Sequence, residues 1–544
     1  MSSTSTSTGT GTGTGTGTRT RTRTRSPWVI YTALLFGTFI TIEAAAFQAP
    51  ALPSITRHFG IPVTLAALIL VFYFLGLTVL APIMGRWGDL NGRRKVLTFG
   101  LVIFAASEFA AAWAPSFTVF IAARFVQGFG VACILPSVFA YVTYLFPQER
   151  RGMALGILTA TMTFGASSGG LLGGLLIDRL GWPSVYWISG ALALIGLLPV
   201  RLLVPEIKPA SQAAPFDFIG ALLLFLTIAA LLSLPTWATN FGARSPITWV
   251  IVVVGVTSLV LLWRHGKTAE APVVDVQILR RPAFALPSAI YWLHMLSFSG
   301  VVYALAFFVN NRPGGSASQF GFVTLFLYGG GLISAPIAGR WVDRYDPRTI
   351  SIAALAGTLA GVLMLLGIDA RTPLWMIIAV VLVLGLTIGT NSPAVMKMAF
   401  GAVPPQKMGT GTGMFSMFRD LGSPTGSSIS LAVFGATLAV TSREALQRQA
   451  APLGLDAATL DQLATAAGGR ARQLPGEVVQ KLAAAGVDAK DLVQRASAEG
   501  LDAALGNVGI VLALLVALAL LLSLRLPRAA TRPQAAAAVA EPGL

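Results

Sequence analysis

The sequence predicts an all-α membrane protein of about fourteen transmembrane helices, with two six-helix bundles flanking two extra central spans. Three observations predict it. The 544 residues are 55% hydrophobic and only 11% charged, too little charge to wet a soluble surface of this size. Apolar runs of about twenty residues recur from residue 27 to residue 526, and each is long enough to cross a bilayer core as a helix. The chain also repeats itself. Ala81-Pro82-Ile83-Met84-Gly85-Arg86-Trp87-Gly88-Asp89 returns as Ala335-Pro336-Ile337-Ala338-Gly339-Arg340-Trp341-Val342-Asp343, and both copies close a long apolar run.

Residues 1–26 contain Ser, Thr and Gly, then alternating Thr and Arg, without the apolar core of a signal peptide. They read as a disordered cytoplasmic tail, held inside by Arg19, Arg21, Arg23 and Arg25. Spans follow near 27–49, 62–84, 95–114, 117–145, 152–177 and 184–204, forming an N-terminal six-helix bundle over 27–205. Residues 206–281 hold two extra spans, near 217–236 and 246–263, with their inner linkers. The C-terminal bundle, 282–526, has spans near 283–309, 320–341, 349–368, 374–400, 409–440 and 506–526. Within it, residues 441–505 are polar and Ala-rich and read as a long outer loop, either a solvated linker with short amphipathic helices or a lid or partner site. Residues 527–544 form a second cytoplasmic tail. The repeat continues through Gly128 and Pro136, matched by Gly385 and Pro393. Most of the 38 Lys and Arg fall in one set of loops, which places both termini in the cytoplasm of a multi-pass plasma-membrane protein, bacterial in character.

These motifs resemble a known family. Gly85-Arg86-Trp87-Gly88-Asp89-Leu90-Asn91-Gly92-Arg93-Arg94-Lys95 resembles the signature loop of the major facilitator superfamily. Arg124-Phe125-Val126-Gln127-Gly128-Phe129-Gly130 resembles its fourth-span motif, and Gly165, Gly169, Gly170, Gly173 and Gly174 resemble its antiporter motif. The span count, the long last outer loop, Asp217-Phe218-Ile219-Gly220 and Phe418-Arg419-Asp420-Leu421-Gly422 resemble the fourteen-span drug:proton antiporter branch. The resemblance covers about residues 27–526. It implies two bundles of major facilitator type that rock about a central cavity. Two positions depart from the family pattern: the span-one acid is Glu43, with Ala44 at the usual place, and the usual proline of the antiporter motif is Gly170.

The candidate residues follow from the cost of charge in lipid. Arg124 lies roughly 10 Å below the outer start of its span and cannot release its proton, but it can tune a nearby carboxylate. Glu43 sits at a similar depth, so Glu43 and Arg124 read as a proton-coupling pair or as a purely structural one. Asp420 is a second proton-coupling candidate, or a simple partner of Arg419. Arg419, His294 and Glu108 are candidates for lining a substrate cavity, and His294 also reads as a satisfied packing residue. Gly85, Asp89, Gly92, Arg93, Arg94 and Asp343 read as a conformational latch at the inner helix ends, or as a positive-inside anchor. The five span-five glycines read as helix-packing positions. Lys397 is expected to snorkel.

Other chemistries are absent from the pattern. Gly266-Lys267-Thr268 lacks the rest of a phosphate loop, so no ATP use is expected. The net charge of +16 lies in inner loops rather than in a basic groove, which argues against nucleic acid. His58, His265 and His294 are too scattered for a metal site, and Cys133 is alone. No nucleophile–base pair marks an enzyme, and no cofactor is expected. The expected partners are a small-molecule substrate, protons and the bilayer. The reading is a proton-coupled secondary transporter exporting small hydrophobic or cationic molecules by alternating access. The alternatives are a carrier of a specific metabolite, working in either direction, and, more distantly, a non-transporting receptor or scaffold.

Overall fold

In lipid every backbone N–H and C=O must be satisfied within its own segment, so the apolar runs can only be helices. The computed structural model describes residues 26–207, 217–269, 272–404, 407–450 and 488–526, with 459–460, 462–463, 479–480 and 482–483; of the side chains, those at 89, 148, 149, 152 and 408–410 lie outside the description. In chain order the α-helices are α1 (Pro27–Ala46), α2 (Gln48–Phe59), α3 (Val63–Asn91), α4 (Arg93–Ala112), α5 (Phe117–Leu145), α6 (Gln148–Leu180), α7 (Pro183–Leu203), α8 (Phe218–Phe241), α9 (Pro246–Thr268), α10 (Val276–Leu279), α11 (Pro282–Asn311), α12 (Ala317–Arg344), α13 (Pro347–Met364), α14 (Leu374–Gly401), α15 (Met408–Ala450) and α16 (Ala489–Ser523). Among the described residues 14 helices are long and apolar enough to cross a membrane.

Two boundaries differ from the sequence reading. The first span is not a single helix to residue 49. It breaks at Phe47, and α2 carries on to Phe59. Pro50 has no N–H for the carbonyl of Ala46, and its ring crowds that turn. The segment 441–505 is not all linker either. Helix α15 runs on to Ala450 and α16 begins at Ala489. Ala445 and Leu446 pack there with Leu463, Leu482, Leu492 and Ala496 in a small apolar core. The rest of that segment, most of 451–487, and both tails lie outside the described residues.

The sequence repeat is also a packing repeat. Helix α5 presses on α3 where a side chain on Gly128 would strike the carbonyl of Tyr73, and one on Gly76 would strike that of Phe125. Helix α14 presses on α12 in the same way, through Gly385 on Leu327 and Gly330 on Leu382. Helices α1 to α7 pack among themselves, as do α11 to α16, with α11 buried along most of its length. The extra pair lies outside: α8 packs on α9, α3 and α15, while α9 leaves Trp249, Val253, Val256, Val260 and Trp263 exposed, as a lipid-facing helix does.

The halves meet most closely at one end. At the end with few charged loop residues, a continuous apolar core joins Leu52, Phe120 and Trp182 to Val301, Phe307 and Phe320. Asp178, at the end of α6, accepts hydrogen bonds from the Ala317 and Ser318 amides (3.1 and 2.8 Å) at the start of α12, where the helix dipole favours an anion. Arg57 Nη1 donates to Asn311 Oδ1 (2.7 Å), joining α2 to α11. Toward the charge-rich end one core lies within the first half, around Tyr31, Phe104 and Val138, and another gathers around Phe284, Val395 and Phe415 and takes in Val71 and Leu75 of α3. There α6 exposes Met153, Leu155 and Phe164, and α12 exposes Ile333, Ile337 and Trp341.

Candidate functional site

The strongest buried charge comes from α5, whose apolar run supplies no water to Arg124. Arg124 is 0% exposed, and Gln127, three residues on and so on the same helix face, is 1% exposed. Arg124 Nη1 donates to Gln127 Oε1, and Gln127 Nε2 donates to Glu108 Oε1 on α4, itself 1% exposed. The amide joins guanidinium to carboxylate in a three-member chain. The guanidinium carbon lies 4.8 Å from the Tyr73 ring centroid on α3 and 5.8 Å from that of Tyr186 on α7, so two aromatic faces support its charge. Phe120 and Ala123, beside Arg124 on α5, belong to the apolar core that joins the halves.

Glu43 and Arg124 are not brought together. Glu43 is 5% exposed and makes no side-chain hydrogen bond or ion pair among the described residues; its backbone lies against Gly165 and Gly169. The acid that reaches Arg124 is Glu108, through Gln127. The five glycines of α6 divide between two neighbours. Gly165, Gly169 and Gly173 receive Phe39, Glu43, Ala46 and Phe47 of the first span, while Gly170 and Gly174 receive Thr324 and Ala317 of α12.

In the other half, Arg419 and Asp420 pair side by side (2.8 and 3.3 Å) with 40% and 41% of their side chains accessible, although both lie inside α15. His294 does not line an accessible surface. It is 1% exposed, with Nδ1 held by the Asn391 amide (2.8 Å) and Nε2 by the Thr358 hydroxyl (2.9 Å), while Ser351 donates to Asn391 Oδ1 (2.7 Å). Every polar atom of this network has a partner, which marks a structural core.

The charge-rich ends hold the latch residues. Gly92 sits at φ +104°, a conformation that favours glycine, and a side chain there would strike the Glu206 carboxylate. Arg94 meets that same Glu206, by its backbone N–H (2.9 Å) and its guanidinium (3.7 Å). Gly85 meets only ordinary contact with Pro136, and Arg93 lies over Gly88. The side chain of Asp89 is outside the described residues. Its repeat partner Asp343 pairs with Lys397 (3.4 Å), whose ammonium also donates to the Val342 carbonyl (2.6 Å).

Two loop carboxylates tie the extra spans down. Asp217 caps α8 through the Gly220 amide (2.8 Å), meets His265 Nε2 (2.5 Å) and accepts from the Val273 amide (3.1 Å). Asp275 caps α10 and accepts from Lys407 Nζ (2.8 Å). Burial pushes both carboxyls upward. For Asp217 the Gly220 amide, His265 and the Val273 amide outweigh it, and for Asp275 Lys407 and the α10 amides do. Both carboxyls are held below the ordinary value.

Sequence reasoning missed Gln127, Tyr73, Tyr186 and Glu206. Gln127 carried a signal, its three-residue spacing from Arg124. The others come from distant segments, and nothing local announces them.

Comparison with known proteins agrees with this build. The family model described as Major Facilitator Superfamily matches residues 34–427. The chain is 28% identical over 417 residues to the multidrug resistance protein Stp of Mycobacterium tuberculosis, covering 76% of each chain. It is 24% identical to the riboflavin transporter RibZ of Clostridioides difficile, covering 76% of this chain and 89% of that one. Its fold is similar to the crystal structure of a bacterial homolog of the human lysosomal transporter Spinster, inward-facing and unoccupied, with a TM-score of 0.63 at 14% identity over 91% of this chain and 96% of that one.

Proposed function

The chain belongs to the Major Facilitator Superfamily, a transporter and not an enzyme, and from that premise we propose that it exports small hydrophobic or cationic molecules in exchange for protons. One observation carries the reading. A permanently charged side chain is buried beside an ionisable carboxyl, next to the seam between the halves, where a passive scaffold has no need of either. The sealed end and the separated end supply the two gates that alternating access requires. Charge-rich loops belong on the cytoplasmic side, which supports a reading with both termini in the cytoplasm of a plasma-membrane protein and with this as the inward-open state. The Arg419–Asp420 pair, still accessible within α15, then faces the cavity as part of the substrate path, with Asp420 a further candidate for handling the proton. The glycines of α6 let its two faces slide, and the contacts of Gly92 and Arg94 with Glu206 and of Asp343 with Lys397 fit a latch at the inner ends that one state makes and the other breaks, to which Arg93 and Asp89 belong by sequence.

The name of the Stp relative supports a drug-like cargo. The RibZ relative favours a second reading, a carrier of one metabolite. Growth against a panel of toxic lipophilic cations, with and without the protein, separates the two. Export predicts protection against several chemically unrelated members. No protection, with the protein present in the membrane, contradicts it.

A further inference from the structure

We infer that Glu108 carries the coupling proton, with Gln127 as the spacer that holds it one group away from the Arg124 charge. This rests on the proton-exchange reading above and names its site. A carboxylate in direct bidentate contact with an arginine is locked as an ion. Glu108 is not so locked, because the Gln127 amide stands between. Arg124 is not consumed elsewhere either: its Nε and Nη2 have no acceptor among the described residues. Around the cluster, Arg124 acts on Glu108 through Gln127 from α5, Tyr73 of α3 and Tyr186 of α7 lie against the guanidinium, and Gly190 of α7 lies against the Glu108 side chain. The only permanent charge among them is Arg124.

The chemistry closes without breaking the chain. As a carboxylate, Glu108 accepts the Gln127 hydrogen bond at Oε1. Taking a proton from water at Oε2 makes it the neutral acid, whose Oε1 is then the carbonyl and still accepts the same bond. Returning that proton to water restores the carboxylate. Between the two forms the net charge of the cluster changes by one unit, close to the core that joins the halves at Phe120 and Ala123. The cluster is shut from solvent in this state; a rocking that admits water to it changes how well its charge is solvated, so the two states differ in proton affinity, and by linkage the proton biases the rocking. Glu43 lacks this arrangement. It rests on α6 glycines with no described polar partner.

The test uses full-length protein reconstituted in lipid and followed by infrared difference spectroscopy across pH. Wild type should show a titrating carboxylic-acid carbonyl band. Glu108→Gln, which keeps the side-chain shape and an oxygen for Gln127, should lose it, while Glu43→Gln and Asp420→Asn keep it. Gln127→Leu should keep the band but move its midpoint by at least half a pH unit, which a merely structural residue would not do. Identical titrating bands in wild type and Glu108→Gln overturn the assignment. With ethidium as the transported probe, Glu108→Gln should also cut ethidium-driven proton movement at least tenfold, and wild-type movement in that variant overturns the assignment. If wild type moves no protons with ethidium while the Glu108 band titrates as stated, the site stands and the exchange reading fails.

Discussion

In α5, Gly128 lets the helix press on Tyr73 of α3, and within the preceding turn Arg124 and Gln127 point into the protein. In α14, Gly385 presses on Leu327 of α12 in the same manner, but the matching positions, 257 residues on, hold Val381 and Leu384, both buried in apolar core. The second half carries its ionisable side chains at other positions, His294 in the closed network with Asn391 and Ser351, and Arg419 and Asp420 as an accessible pair. Duplication therefore kept the helix contacts and let the side chains that bear charge diverge. The contacts are a matter of backbone approach, which only glycine permits at those points. The charges are not needed for that packing, so one half could carry them and the other dispense with them.

The comparison breaks first at its charged member. Arg124→Leu should lower substrate–proton exchange at least 100-fold, about 2.7 kcal/mol, because Gln127 and Glu108 lose the charge they are built around. The repeat-equivalent Val381→Ala should leave exchange within about twofold and cost only roughly 1–2 kcal/mol of stability. Parallel exchange assays and thermal melts check both. The scaffold should respond alike in the two halves. Gly128→Val and Gly385→Val each force a side chain into a neighbouring backbone carbonyl, at about 1–3 kcal/mol, and their melting shifts should match. A large effect in one half alone would contradict the packing repeat.

His294→Phe should cost about 1–3 kcal/mol, since it leaves the Asn391 side-chain N–H without its acceptor in the core, while the pH dependence of exchange stays that of wild type. The smallest effect belongs to the loops. The folded-state affinity of Asp217 for a proton is depressed. Its stabilisation is therefore fully present above about pH 4, the ordinary carboxyl value, and is lost as pH falls through the lower folded value. Asp217→Asn should remove about 1 kcal/mol at neutral pH and flatten that acid limb in a stability-against-pH series.

Most of the fold could be read from the chain because lipid leaves the backbone few choices. The spans, their repeat and the outlying pair follow from apolar runs and glycine spacing. The break at Phe47 was also legible in Pro50, whose missing N–H interrupts the helix one turn back. The extension of α15 and α16 beyond the bilayer was not, because alanine-rich polar helix and polar linker share a composition. The site was half legible. Arg124, Glu108 and Asp420 stand out as charges in apolar runs. Which acid reaches Arg124 depends on the rotation of three packed helices, and a hundred degrees per residue separates Glu43 from the usual family position at Ala44.

The most direct test of exchange is proton flux in inverted membrane vesicles carrying the full-length protein and an imposed proton gradient. Adding a transported lipophilic cation should release protons from the vesicle interior in proportion to uptake, and Arg124→Leu should abolish the release. Uptake of the cation with no accompanying proton movement, across the pH range in which it is transported, would contradict proton-coupled export.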